Sequence, residues 1–411
     1  MTGHAVLLLR RALDAAIAAA RPERWLAAEL EGLVRPRGRT GVLALGKAAV
    51  PMARVVAEKL RGSWDGLAVT VAGESAPVPG FTVLEGAHPI PDARSLAAGE
   101  AALAFAAGTG PDDRLLVLIS GGASAMACAP ITGVTLETKA ALTRVLLASG
   151  ATIGEINTVR RAVSRLKGGG LARAARGTVL TLAVSDVPDD ALHDIGSGPA
   201  VASPTGADEA LDVLRRHAPA LVRDLATPMR VHGANLGPAP VATAQVAFRP
   251  GDALAAVAAL LQAEGWPADN RGQVAGEARD VAASHAGLVG GGRQAILSGG
   301  ELSVSLGEGP RGRGGRNQEY LLALAIALAG REDVWALAAD TDGQDGSEPV
   351  AGAWIDPALL TCLDVVEARA DLARHDAFGF FQRHGRVIET GPTGVNVGDL
   401  RLILVDPQAL A

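Results

Sequence analysis

Arg114–Ala125 reads RLLVLISGGASA: a leading Arg, five aliphatic residues, then an abrupt Ser-Gly-Gly-Ala-Ser turn. A short, unbroken apolar run of this kind predicts a strand buried on both faces, as in the middle of a parallel sheet. The two glycines after it let the chain turn sharply and bare its backbone amides where the strand ends. In doubly wound folds ligands bind at that place, because loops and helix amino-termini there present unpaired N–H groups. Ser120, Gly121, Gly122 and Ser124 are therefore a candidate cradle for phosphate or carboxylate oxygens, with an ordinary strand-to-helix turn as the alternative. A near echo, LSGGE at Leu297–Glu301, makes Ser298, Gly299, Gly300 and Glu301 a second candidate.

Outward from this stretch, strand-like runs alternate with helical ones. GVLAL is followed by a helix over 48–60, and LAVTVAG and FTVLEGAHP by a helix over 93–106. RLLVLIS leads to helices over 136–148 and 155–166, and TVLTLAVSD is a further strand. Such alternation predicts an α/β fold, a doubly wound and mainly parallel sheet with helices on both faces. The Pro/Gly-rich TPMRVHGANLGPAPVAT marks a boundary. Residues 1–230 then form a Rossmann-like domain and 231–411 a smaller α/β domain. The second domain is expected to hold helices over 253–264, 276–285 and 318–329 and the strands RQAILSGG, ELSVSL, VWALAAD and LRLILVD.

Composition narrows the class. A chain of 411 residues suits two domains at ~100–200 residues each. It is 48% hydrophobic but only 3% aromatic, so its cores are aliphatic. A net charge of −6 gives no reason to expect nucleic acid. Cys128 and Cys362 stand alone in different halves, which favours a reducing cytoplasm over a disulfide framework. The opening HAVLLLRRALDAAIAAARPERW reads as an amphipathic helix, because Arg10, Arg11 and Asp14 interrupt its apolar stretch, and YLLALAIALAG is too short to span a membrane. A soluble protein is expected, and its state of self-association stays open.

Several motifs carry chemistry. GVLALGKA fits G-x-x-x-x-G-K formally, but its interior is a strand and Ala48 stands where a phosphate loop needs Ser or Thr. What remains is Lys47 at a strand end, a point cation able to neutralise a transferring phosphoryl group. GEGPRG, Gly307–Gly312, followed by Asp333, fits a dinucleotide loop, yet Arg311, Arg313 and Arg316 crowd it and suit a terminal phosphate or a carboxylate better. SDVPDD sets Asp186, Asp189 and Asp190 after a strand, fit to hold Mg²⁺ beside phosphates or to take a proton, or simply to cap a helix. DTDGQDG is not a calcium loop, since Asp345 and Ala351 stand where that loop needs Gly and Glu. His88 and His193 lack triad spacing and read as structural.

Together ALGKAA, LISGGASA, ATIGEINTVRRAVSRLKGGGLA, SDVPDD…IGSGP, LSGGE, GRGGRNQEYLLALA, DTDGQDG…AGAWID and TGPTGVNVGDL resemble the glycerate 2-kinase family with its MOFRL-type C-terminal domain, over nearly the whole chain. The resemblance implies phosphorylation of D-glycerate on its 2-hydroxyl with ATP and a divalent cation, in a site between the domains. Many members carry the older label hydroxypyruvate reductase, so an NAD(P)H-dependent reductase is the rival reading. The resemblance further implies that Lys47 and Arg316 act on the phosphoryl group, and it brings Asn317, Glu319 and Asp342 into the binding set. Asn157, Arg160 and Lys167 are candidates for the glycerate carboxylate or the ATP phosphates. Mg²⁺ would sit near Asp186 or Asp190, with Asp190 as the base. The chain departs from the family pattern at Asp189, Gly196, Ala200 and Val395.

Overall fold

The computed structural model describes residues 2–187, 189–237, 242–306 and 312–410. Contacts divide the chain into two compact units, Pro22–Phe248 and Met1–Arg21 with Arg249–Ala411.

The Pro22–Phe248 unit is built on β1 (Thr40–Leu45), β2 (Trp64–Val71), β3 (Phe81–Gly86), β4 (Arg114–Ile119), β5 (Thr178–Val184) and β6 (Ala242–Phe248), in the order β3-β2-β1-β4-β5-β6. Every pairing is parallel. β1 is buried along its whole length and β4 nearly so, which is why both appear as unbroken apolar runs. The order reverses at β1, so the ends of β1 and β4 flank the switch point of the sheet. Its helices are α2 (Pro22–Glu31), α3 (Ala49–Lys59), α4 (Ala93–Ala107), α5 (Ala123–Met126), α6 (Leu136–Ala148), α7 (Ile153–Ala162), α8 (Gly170–Ala174), α9 (Ala207–His217) and α10 (Pro219–Ala234), after α1 (Thr2–Ala20) in the other unit. Local signals set several starts: Asp92 caps α4 through the amides of Arg94 and Ser95, and Thr152 and Glu155 form a reciprocal box at α7.

The second unit contains α11 (Pro250–Ala263), α12 (Ala278–Ala286) and α13 (Arg316–Ala327). Its strands are β7 (Ala268–Gln273), β8 (Gly276–Glu277), β9 (Gln294–Gly299), β10 (Leu302–Ser303), β11 (Val334–Asp340), β12 (Gly352–Ile355), β13 (Val387–Ile388) and β14 (Asp399–Val405). The main sheet runs β13-β12-β11-β14-β9-β7 and is antiparallel except where β7 meets β9. Tyr320, Leu321 and Leu324 of α13 pack with Ala336, Ala338 and Ile403 in its core.

Three expectations change. The boundary expected at residue 230 falls inside α10, and β6 beyond it pairs with β5, so the unit continues to Phe248. The first helix belongs to the other unit: α1 packs on α11, Arg11 bonds Glu264 at 2.8 Å, and Leu8, Leu9 and Leu13 are buried. Burying side chains of this size contributes about 1.5–3 kcal/mol each. The strand expected at ELSVSL shrinks to β10, which pairs only with β8 in a separate two-stranded ladder. Among the described residues no helix is long and apolar enough to cross a membrane.

Candidate functional site

In the Pro22–Phe248 unit the turns after β1 and β4 are tied to each other. The Lys47 amide donates to the Gly121 carbonyl at 2.9 Å, and the Ala48 amide to Ser120 Oγ at 3.0 Å. Gly46 has φ +116°, and a side chain there would run into Ser120, so this crossing requires glycine. Ser120 is almost fully buried, and its hydroxyl braces the two turns instead of facing a ligand. Among the described residues the amides of Gly121 and Gly122 find no acceptor within the protein. A Cβ on Gly121 would lie 2.6 Å from Asp186 Oδ2, so the exposed carboxylate at the end of β5 stands directly over the turn. Strand ends β1, β4 and β5 thus bring together Lys47, two unengaged amides and a carboxylate.

His88, read from sequence as structural, also belongs here. Its Cδ2 is 3.3 Å from where a Gly122 side chain would begin. Burial, followed by the charges of Lys47 and Arg160, holds its pKa down to about 4, so the ring is neutral at pH 7. Other candidates are already engaged. Ser124 Oγ meets Ser197 Oγ at 2.9 Å, Ser197 donates to Asn157 Oδ1 at 3.0 Å, and the Asn157 amide reaches Asp194 Oδ1 at 3.2 Å. Asn157 is therefore held in a chain of hydrogen bonds that runs from Ser124 to Asp194. Arg161 binds Asp194 at 2.7 Å, and the Asp190 amide donates to the Val187 carbonyl at 3.3 Å in a backbone with φ +52°. His193 keeps a structural place, its carbonyl accepting from Arg161. Gly196 has φ +58° and suits glycine, while Ala200 and Val395 are buried.

In the other unit Arg316 opens α13. Its Nε donates to both Asp399 oxygens at 3.0 Å, and its Nη2 to Asp340 at 2.9 Å and Glu301 at 3.2 Å. Burial opposes its charge, but Asp399, Glu301 and Asp340 outweigh that and raise its pKa. Burial, then Asp399 and Asp342, push the Asp340 carboxyl well above the usual range. Asp345 is raised to about 7 by burial, against the pull of the Asn317 and Gln318 amides that it accepts. Asn317 Nδ2 bonds Asp399 Oδ1 at 2.8 Å. Asp342 Oδ1 accepts the Gln344 amide at 2.9 Å.

The second SGG turn differs from the first. Ser298 Oγ and the carbonyls of Gly299 and Gly300 receive the buried Arg401 guanidinium, while among the described residues the Gly300 amide, like those of Gly121 and Gly122, finds no acceptor. Glu319 is likewise engaged, by Arg279 at 2.7 Å and His375 at 3.1 Å. Asp333, the expected ribose contact, is paired with Arg331 at 2.7 Å. Most of GEGPRG, including Arg311, lies outside the described residues. Asp340, Asp399 and Arg401 were not singled out from sequence, because their role depends on strands meeting in register.

Among the described residues no group of three or more His, Cys, Asp or Glu is arranged to hold a metal. A nucleotide-bound Mg²⁺ asks less of a protein, one or two carboxylates with phosphates and water completing its shell, and the Asp186 carboxylate over the Gly121 turn fits that demand. A cavity of about 300 Å³ lined by Leu30, Arg35, Lys59 and Arg61 also touches Thr40 and Arg114, the first residues of β1 and β4, and so lies at the opposite end of the sheet.

Comparison with known proteins adds to this geometry. Residues 8–228 match a family described as Domain of unknown function (DUF4147), and residues 294–399 match the MOFRL family. An Agrobacterium vitis protein provisionally named hydroxypyruvate reductase is 41% identical, covering 97% of this chain and 94% of its own. The glycerate 2-kinase of Pyrococcus horikoshii is 32% identical over 90% of this chain and 88% of its own. The crystal structure of a glycerate kinase from Thermotoga maritima superposes with a TM-score of 0.86 at 30% identity, covering 97% and 99% of the two chains.

Proposed function

We propose that this chain, which belongs to the glycerate 2-kinase family of paired DUF4147 and MOFRL domains, transfers the terminal phosphoryl group of ATP to the 2-hydroxyl of D-glycerate and releases 2-phosphoglycerate. The observation that carries this reading is the junction of the β1 and β4 turns, where Lys47 and the unengaged amides of Gly121 and Gly122 stand beside the Asp186 carboxylate. Phosphoryl transfer asks a protein mainly for positioning and charge stabilisation, and these groups supply both. The amides hold phosphate oxygens, and Lys47 offsets the charge that develops on the moving group. Arg316 is the second cation assigned to the phosphoryl group, once its carboxylate partners share it with the phosphoryl oxygens. Asp190 accepts the hydroxyl proton. Asp186 and Asp190 would hold Mg²⁺, which when bound would offset the negative charge of the phosphates. The cytoplasm is the setting that two unbridged cysteines favour.

The reductase name borne by the Agrobacterium vitis relative sets the competing activity. Purified protein is given D-glycerate, ATP and Mg²⁺ with ADP as the readout, and in parallel hydroxypyruvate with NADH. Release of ADP that requires glycerate supports the kinase. NADH oxidation without any ADP release overturns it. Binding of ATP with neither reaction would make the chain an anion or nucleotide sensor and overturn it as well.

A further inference from the structure

Beside the β1–β4 junction three cations are gathered without a counter-charge. Lys139 lies on α6, Arg160 on α7 and Lys167 in the turn before α8. The lysines are 4% and 3% exposed. Each makes one hydrogen bond, Lys139 Nζ to the Val163 carbonyl at 3.5 Å and Lys167 Nζ to the Ala127 carbonyl at 3.2 Å. An ammonium has three donors, so two on each remain for another partner. Among the described residues no carboxylate lies within ion-pairing distance of Lys139, Arg160 or Lys167, whereas the neighbouring Arg161 has Asp194 at 2.7 Å.

Burying an ammonium without a compensating charge costs several kcal/mol, and here two are buried beside a guanidinium. A buried lysine meets that cost by giving up its proton or by holding an anion that arrives from outside. Consistent with this, burial and the other cations depress both lysines, and the single group acting the other way on either is the Cys128 thiol. Arg160 is only partly buried, and its charge acts on His88 as well as on the two lysines. His88 also feels Lys47, so the cluster continues electrostatically into the junction of the two turns.

We propose that Lys139, Arg160 and Lys167 form a carboxylate-binding subsite that receives the acid end of the hydroxy-acid substrate. The assignment rests on the kinase reading for the identity of that acid. A carboxylate brings one charge and two acceptor oxygens, which suits cations this buried. A polyphosphate would carry several charges out of water, and it has the Gly121 and Gly122 amides with Lys47 to bind instead. The carbon bearing the 2-hydroxyl is bonded directly to the carboxylate carbon, so an acid anchored at this subsite holds its hydroxyl one carbon away from the anchor.

The test uses the full chain and Lys139→Met, Lys167→Met and Cys128→Ser variants, with thermal melting and steady-state kinetics. Methionine matches the lysine stem without its charge, so both Met variants are expected to melt higher than wild type when ligand-free. D-glycerate is expected to stabilise wild type, glycerol, which lacks the carboxylate, to leave it unchanged, and the Met variants to lose the glycerate effect. The KM for glycerate should rise about 10- to 100-fold in Lys167→Met while the KM for ATP stays within about twofold. Cys128→Ser should keep the wild-type glycerate KM. Four results would overturn the subsite: an unchanged glycerate KM in active Met variants, equal stabilisation by glycerol, inorganic phosphate protecting wild type while the ATP KM alone shifts, or a glycerate KM lost with Cys128, which would make its thiolate the counter-ion. Should wild type release no ADP with glycerate, the kinase reading fails separately. The melting series with glycerate, glycerol and phosphate still decides whether the cations bind a carboxylate.

Discussion

Replacing Gly121 by Ala separates the chemistry of the junction from its folding. The new methyl would sit 2.6 Å from Asp186 Oδ2, and ordinary contact begins near 3.4 Å, so the carboxylate must retreat by about 0.8 Å. Asp186 is exposed, which makes that rotation cheap, and Gly121 is not in the left-handed region, so its backbone accepts Ala. Loss of glycine also lowers the entropy of the unfolded chain, a gain of roughly 0.4–1 kcal/mol that offsets the crowding. Stability should then change by less than about 1 kcal/mol. Activity should not be spared, because the methyl crowds the two amides and shifts a carboxylate beside the phosphates. Misplacement on the order of 1 Å in a reacting site costs ~10²-fold in rate. The assay is ADP release at saturating glycerate and ATP, paired with a thermal melt. Gly122→Ala is the contrast: at φ +82°, with its Cβ 2.6 Å from Met126 Cε, it should lose stability and activity together. A Gly121→Ala enzyme that melts like wild type and keeps its kcat would show that phosphates do not bind at this turn.

Lys47→Ala should melt normally and lose on the order of 10²-fold or more in kcat, since a cation acting on the transition state is removed; near wild-type turnover would dismiss that role. Arg316→Lys keeps the charge but not the fork that meets Asp399, Asp340 and Glu301, so kcat should fall far more than ATP affinity, and an unchanged kcat would clear Arg316 of the chemistry. EDTA should abolish ADP release and Mg²⁺ restore it; full activity in EDTA would contradict metal-assisted transfer. Asp345 is raised from 3.8 to about 7 in the folded chain, so ionising it costs stability that is lost as pH climbs from about 4 through 7. Urea unfolding at pH 5 and pH 8 should show this fall in wild type and a shallower one in Asp345→Asn, and identical slopes would refute the assignment.

The parallel sheet was legible because β1, β4 and β5 are buried enough to be nearly all aliphatic, and the turn with two unengaged amides after β4 was marked in advance by Gly121 and Gly122. β6 was not legible. ATAQVAF is largely uncovered along its length, so its composition resembles the loop before it, and only pairing with β5 makes it a strand. The amphipathic period of α1 identified a helix but carried no information about which helix covers it. The SGG echo shows a related limit: the same glycines can have different surroundings, and the sequence did not show that the buried Arg401 sits behind the second turn. Lys139 had no motif at all. One lysine on α6 looks like surface charge until the fold closes over it.

The placement of α1 has a consequence for synthesis. Its apolar side, with Leu8, Leu9, Ala12, Leu13 and Ala16 buried in the finished protein, leaves the ribosome before Pro22–Phe248, while α11 and the strands that complete its unit come after. At ~5–20 residues per second that interval lasts on the order of tens of seconds, long enough for Pro22–Phe248 to fold first. Throughout it α1 is a bare greasy segment tethered to an already folded body. A nascent chain stalled near residue 248 would therefore carry a well-formed parallel sheet and an unmated helix together, which makes that helix the place where a chaperone would engage the growing protein and where incomplete products would stick to one another.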